Sequence, residues 1–306
     1  MTDIPFIPFA EGEAALDWLD LTDAIAAGHM LPKAEIGDTF LYRRDDTLLS
    51  RAAWIDGMGI AVKSATIFPG NAAVAKPNVN GGVNLYADDD GMLEAIVDFH
   101  LVTKWKTAGD SLLAARRLAR ADSRNILLVG AGAVARSLYA AYAAAFPAAT
   151  FTLWNRTRAT AEAMAEELNG VTIADDLEAA VAAADIIGSA TMSTEPLIRG
   201  AWLRPGQHID LVGAYRPDMR EVDDDALKRA RLFVDSFDTT VGHIGEIDIP
   251  LKSGVISRSD IIADFYDLDA FQRHSDDEIT ICKNGGGAHL DLMTSRYILA
   301  RWTCRA

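Results

Sequence analysis

Cysteine is nearly missing from this sequence. Cys282 and Cys304 are the only two in 306 residues, too few for a disulfide framework and without metal-ligand spacing. No apolar stretch approaches the roughly 18–20 residues that span a bilayer, and the N-terminal M-T-D-I-P-F carries no basic leader. The expectation is a soluble, cytoplasmic protein without a membrane partner or a metal. Positive charge is scarce too: 29 Lys and Arg stand against 44 Asp and Glu, a net charge of −15. That balance argues against nucleic acid, whose phosphates need a basic face. It does not argue against a small anionic substrate, because a few local lysines can dominate a pocket. About half the residues are hydrophobic, enough for a large core in one large or two moderate domains.

The most informative stretch is residues 124–157. The apolar run 126–129 has the pattern of a strand buried on both faces. Gly130, Gly132 and Ala135 follow at G-x-G-x-x-A spacing, embedded in G-A-G-A-V-A. Gly130 would allow the tight turn, Gly132 a close approach of backbone to pyrophosphate, and Ala135 the packing of helix on strand. The Ala-rich helix that follows would aim its first N–H groups at phosphate. Ala131, Ala133 and Val134 belong to the same turn. A second apolar run, 151–154, ends in Asn155-Arg156-Thr157, where a ribose-reading residue belongs. NAD sites usually carry Asp or Glu there, whereas an Arg accommodates a 2′-phosphate in a bidentate fork. No carboxylate occurs until Glu162. NADP(H) is therefore preferred, with NAD(H) as the alternative.

Taken in order, residues 11–28 read as one amphipathic helix ending at Gly28. A hairpin is expected around 40–42 and 47–50, a strand at 59–68, short strands at 82–86 and 95–100, and a helix over 103–120. Later strands at 185–189, 208–212 and 232–234 alternate with helical segments at 158–168, 177–184 and 224–229. That alternation predicts an α/β, Rossmann-type doubly wound parallel sheet over residues 121–277. Residues 1–120 make a second, α+β domain. The tail 278–306, with its strand, glycine cluster and final helix, is too short to be a domain and is expected to complete that one.

Lys63 lies inside an otherwise apolar strand, where a charge is costly unless paired or functional. Lys106 stands near a helix start and Lys33 follows Pro32 in a loop; each would pass alone for a solvated charge, but together they could clamp a carboxylate. Ala190-Thr191-Met192-Ser193 and, after Val212, Gly213-Ala214-Tyr215-Arg216-Pro217-Asp218 follow strand ends, where open α/β sheets bind ligands, and both read as nicotinamide-side loops. His243, Glu246 and Asp248 form a polar cluster better read as a structural loop than as a metal or acid–base site. His100 and His289 read as packed or capping residues.

These stretches together resemble the ornithine cyclodeaminase/mu-crystallin family along nearly the whole chain. The resemblance rests on A-V-K-S-A-T-I-F-P-G-N (61–71), V-T-K-W-K-T-A-G-D-S (102–111), the V-G-A-G-A-V-A fingerprint, L-W-N-R-T, S-A-T-M-S, V-G-A-Y-R-P-D-M-R-E-V-D-D (212–224) and I-C-K-N-G-G-G-A-H-L-D-L (281–292). It implies a substrate and dimerisation domain built from the N-terminal part and last helix, a Rossmann domain between, and a homodimer. Lys63 matches the family's substrate-site lysine. Lys106 replaces an Arg in the family's R-T-A-A helix start, with Thr107 beside it at the cofactor. Arg51 falls near the M-P-A turn as a further anion binder, Lys33 loosely matches an early Arg, and Gly285 belongs to the C-terminal glycine segment. Replacing Arg by Lys removes bidentate carboxylate geometry.

Cyclodeaminases carry Asp where this chain has Tyr215, and Arg216-Pro217-Asp218 resembles the ketimine-reductase branch. The resemblance thus implies NAD(P)H-dependent reduction of a cyclic imino acid, Δ1-pyrroline-2-carboxylate or its six-membered homologue, to L-proline or L-pipecolate. Lys63 would be the catalytic residue and, with Lys106, Arg51 and Lys33, would bind the substrate. Ornithine cyclodeamination, amino-acid dehydrogenation and non-catalytic NADPH binding stay open as alternatives.

Overall fold

A computed structural model describes residues 4–305. The chain divides into two compact units, residues 4–106 with 287–305, and residues 107–286. The first boundary falls inside a helix rather than at residue 120. The second falls at Gly287 rather than 278, because the strand expected in the tail belongs to the second unit's sheet.

In the first unit, β1 (Phe6–Ile7), α1 (Phe9–Glu13) and α2 (Trp18–His29) precede five long strands. The single helix expected over 11–28 is broken because Asp17 caps a new start, its carboxylate accepting from the Leu19 and Asp20 amides. The strands are β2 (Glu35–Arg43), β3 (Asp46–Ile55), β4 (Gly59–Ile67), β5 (Val79–Tyr86) and β6 (Leu93–Asp98). They form a sheet in the order β1-β6-β5-β4-β3-β2, antiparallel except for β1 with β6. Burial alternates along β4: Ala61, Lys63 and Ala65 share the buried face, as a strand's period of two requires. The expected strand 95–100 stops at Asp98, where α3 (Phe99–Leu118) begins with the Asp98 carboxylate accepting from the Leu101 amide.

The second unit holds β7 (Asn125–Val129), α4 (Ala133–Ala145), β8 (Thr150–Trp154), α5 (Arg158–Glu167), β9 (Val171–Ile173), α6 (Leu177–Ala183), β10 (Ile186–Ser189), β11 (His208–Leu211), α7 (Asp224–Arg229), β12 (Arg231–Val234), α8 (Phe237–Thr240), α9 (Gly245–Ser253) and β13 (Thr280–Lys283). All seven strands are parallel, in the order β12-β13-β11-β10-β7-β8-β9. The order reverses between β7 and β10, the switch point at which such sheets bind ligands. Four consecutive residues of β7, Ile126 to Val129, are buried, because helices cover both faces. Leu127, Val129 and Ile187 pack with Val181 of α6, while Gly188 faces Leu138 and Tyr142 of α4. This is the doubly wound α/β sheet expected. The chain ends in α10 (Ala288–Thr303), which packs on β3, β4, β5 and α2 of the first unit.

Candidate functional site

Within the second unit, a cavity of about 390 Å³ opens at the switch point. Gly130 makes the turn out of β7 at φ +106°, and a Cβ there would stand 2.7 Å from the Ala190 carbonyl oxygen. Only glycine meets both demands. Gly132 differs: a Cβ there would meet nothing within 4 Å, so its bare backbone faces open space that a ligand can fill. It also caps α4 with no side-chain hydrogen bond, leaving the first N–H groups of that helix for an anion. The residues present thus fit a dinucleotide pyrophosphate.

Most of the residues expected at this pocket line it: Gly130, Ala131 and Gly132 from the first loop, Asn155 and Arg156 from the end of β8, and Ala190, Thr191 and Met192 after β10. Trp154, Thr160, Ser193 and Leu197 complete it. Seven other expected residues are not in this lining. Ala133 and Val134 open α4, and Thr157 caps α5. Gly213, next to Val212, packs behind Thr191, where a Cβ would stand 1.9 Å from the Thr191 carbonyl oxygen. Gly285 gives its amide to the buried Asp235 carboxylate. Thr107 continues α3 one residue past Lys106.

Three arginines stand near the ribose end, and their partners separate them. Arg136 forms a fork with Glu167, with bonds of 2.7 and 3.1 Å. Arg158 is held by Glu162 at 2.7 Å and also by Asp175. Arg156 lines the cavity, is exposed, and has no ion pair among the described residues. It is the cation left available for a further phosphate.

Within the first unit, a second constellation lies on the buried face of the sheet. Lys63 on β4 stands directly opposite Arg51 on β3, and Arg51 opposite Asp38 on β2. Lys63 is buried; its Nζ donates to Thr103 Oγ1 at 2.9 Å and Asp291 Oδ1 at 3.0 Å, and lies 4.6 Å from the Phe99 ring centre. Lys106, also buried, brings its Nζ within 3.9 Å of the same Asp291 oxygen. The other oxygen, Oδ2, is buried without a hydrogen-bond partner, an uncommon state that a bound polar ligand would relieve. Arg51 gives the Nε and Nη2 edge of its guanidinium to Asp38, at 3.2 and 2.6 Å.

Burial lowers the Lys63 pKa to about 8, against the pull of Asp291, and the charges of Lys106 and Arg51 add to the lowering. Burial works to raise the Asp291 carboxyl, but Lys106, Lys63 and Arg51 outweigh it and hold it below its ordinary value. The arrangement is a carboxylate amid three cations, one of them an ammonium poised to release a proton near neutral pH.

Lys63, Lys106 and Arg51 thus come together as expected. Lys33 is exposed in the loop before β2. Sequence reasoning misses Asp291, although it lies in the segment I-C-K-N-G-G-G-A-H-L-D-L (281–292) that carries part of the family resemblance. Glu246 and Asp248 have structural partners, though they stand in the first turn of α9 rather than in the loop expected: Glu246 accepts from the Glu221 and Val222 amides, and Asp248 from the Gly242 amide and Lys252. His289 is buried, whereas His100 is exposed. No group of metal-binding residues occurs among the described residues.

A Rossmann-type dinucleotide unit joined to an α+β unit that holds a buried lysine–aspartate cluster defines the class of protein. The sequence profile of the ornithine cyclodeaminase/mu-crystallin family matches residues 52–305, and the chain belongs to that family. It is similar to the Δ1-pyrroline-2-carboxylate reductase of Paracoccus denitrificans, 49% identical over 301 residues, covering 96% of this chain and 95% of the relative. Ketimine reductase mu-crystallin of Mus musculus is 32% identical over 246 residues, covering 80% and 76%. Among solved structures, the Δ1-pyrroline-2-carboxylate reductase of Thermococcus litoralis in complex with NADH and L-proline shares the fold. Its TM-score is 0.88 at 24% identity, covering 98% of each chain.

Proposed function

We propose that this protein reduces a cyclic ketimine carboxylate, Δ1-pyrroline-2-carboxylate to L-proline or its six-membered homologue to L-pipecolate, and prefers NADPH as the reductant. The observation that carries the reading is the buried Lys63 ammonium held between Thr103 and Asp291, with Lys106 beside it and one Asp291 oxygen unpartnered. The names of the relatives from Paracoccus denitrificans and Mus musculus support the same reaction class. Tyr215, in place of the cyclodeaminases' Asp, favours reduction over release of ammonia.

The nicotinamide, when bound, supplies hydride to the C=N carbon. Lys106 and the free edge of Arg51 hold the substrate carboxylate and so fix which face of the ring is attacked. Lys63 sits where its ammonium can give a proton to the ring nitrogen, making the carbon more electrophilic. One hydride on carbon and one proton on nitrogen complete the amine, and Lys63 regains its proton from water. Asp291 keeps Lys63 charged at neutral pH despite its burial. Arg156 supports the NADPH preference, since it lines the cavity and its guanidinium has no competing carboxylate among the described residues.

The protein acts as a homodimer in this reading. The edge strand β2 leaves Phe40, Leu41 and Tyr42 exposed at 46, 61 and 73%, an apolar patch on a sheet edge that a second copy would cover. The deciding experiment follows NADPH and NADH oxidation with Δ1-pyrroline-2-carboxylate, beside ammonia release from L-ornithine with NAD⁺. Imine-dependent oxidation with silent ornithine is the expected result. Ammonia from ornithine would replace the reading with cyclodeamination, and tight NADPH binding without turnover on any imine would make the protein a binder.

A further inference from the structure

The loop after β10, which lines the dinucleotide cavity, is fastened to the loop after β11 by one carboxylate. Ser189 and Leu211, the last residues of these strands, are direct neighbours in the sheet, and the loops that follow them stay in contact at Thr191 and Gly213. Glu221 is fully buried between them. Its Oε1 accepts from Ser189 Oγ at 2.6 Å, the Thr191 amide at 2.9 Å and Thr191 Oγ1 at 2.9 Å. Its Oε2 accepts from the Gly213 amide at 2.7 Å and the Ala214 amide at 3.1 Å. Each oxygen therefore serves one loop, and the five donors satisfy the charge without a cation in hydrogen-bond contact.

The main chain of Glu221 holds the far end of the same wall. Its carbonyl accepts from the Leu197 and Ile198 amides, each at 3.0 Å, and its own amide donates to Glu246 Oε2 at 2.6 Å. Thr191 and Leu197, the pocket-lining residues at either end of this loop, thus depend on one residue that does not itself line the pocket. The loops also touch directly, since Gly213 has no room for a Cβ beside Thr191. A change in what Glu221 accepts cannot be absorbed by slack between them.

We propose that Glu221 is a positioning residue for the dinucleotide: by holding Thr191 to Gly213 and Ala214, it sets the wall against which the cofactor binds. The proposal rests on reading the cavity as the nicotinamide dinucleotide site. It assigns Glu221 an effect on cofactor affinity and none on the cationic cluster at Lys63.

Glu221→Gln tests it, since the side chain keeps its shape while one acceptor oxygen becomes an NH₂ group that opposes the donors of one loop. In the full-length protein, NADPH and NADH dissociation constants are measured by fluorescence, and KM values for nucleotide and for Δ1-pyrroline-2-carboxylate separately. The expected result is a nucleotide Kd and KM raised about tenfold or more, from lost charge-assisted bonds. The KM for the imine at saturating nucleotide should stay within about twofold, a split that general loosening of the fold would not produce. A folded Glu221→Gln protein with wild-type nucleotide affinity overturns the proposal. Should that variant not fold, Ser189→Ala, which deletes one donor outside the pocket, carries the test. A Kd raised about threefold or more supports the assignment, and an unchanged one overturns it. A wild-type protein that binds neither dinucleotide overturns the reading of the cavity, and the proposal with it.

Discussion

The Lys63 ammonium lies 3.0 Å from Asp291 Oδ1, although 228 positions separate the two residues in the chain. The pairing exists because α10 returns to the sheet on which β4 runs. Burial lowers the Lys63 pKa to about 8, and the Asp291 carboxylate opposes that shift and so keeps the proton on the lysine at neutral pH.

The rate should follow this balance. With the Lys63 ammonium as proton donor, kcat is expected to fall as pH rises through about 8. Asp291→Asn removes the main group that raises the Lys63 pKa, so the falling limb should move to lower pH. Lys63→Met should abolish the limb and cost about 10²–10⁴-fold in kcat, the usual worth of a positioned acid. A pH–rate series on the three proteins checks this; an unshifted limb in Asp291→Asn would remove Lys63 from the proton path.

Two glycines two positions apart should respond oppositely. Gly132→Val adds a side chain into open space, so the fold should keep its thermal stability while dinucleotide affinity is lost. Gly130→Ala places a Cβ at φ +106° and against the Ala190 carbonyl, which should destabilise the protein by about 1–3 kcal/mol. Thermal melts beside nucleotide titrations separate the two outcomes.

Arg156 should govern the choice of cofactor. Arg156→Ala is expected to lower kcat/KM for NADPH by about 10–100-fold, the loss of one charge-assisted phosphate contact. NADH kinetics should change little, because the 2′-hydroxyl carries no charge for the guanidinium to meet. Parallel kinetics with both nucleotides decide it, and equal losses on both would assign Arg156 to the shared part of the cofactor.

Glu246 should make stability depend on pH. Burial, then the charge of Glu221, push its pKa from 4.5 to about 7, against the pull of Lys283. Between those values the folded protein holds a proton that the unfolded chain has released. Stability should therefore fall as pH rises from about 4.5 to about 7, by up to about 3 kcal/mol, and level off above that window. Urea unfolding at several pH values should show the slope in the wild type and its loss in Glu246→Gln.

The dinucleotide unit was legible in the sequence because its signals are local. G-A-G-A-V-A between an apolar run and an Ala-rich segment specifies strand, turn and helix within some twenty residues, and Asn155-Arg156 follows at a distance set by one crossover. The burial of Lys63 was legible as well, since alternation on β4 places it on the face of Ala61 and Ala65. Even the break at Asp17 has a local cause, a capping carboxylate inside an otherwise helical pattern.

Tertiary structure decided what local pattern cannot carry. Asp291 becomes the partner of Lys63 only through the docking of α10, and Asp38 meets Arg51 only through the register of β2 with β3. β13 joined the parallel sheet because a place lay between β11 and β12, so the chain crosses units nine residues later than composition suggested. Glu221 looked like one acid among several in R-E-V-D-D, yet two loops close on it and bury it completely. A charge's role follows from the donors that the fold brings around it, and those lie far away in the chain.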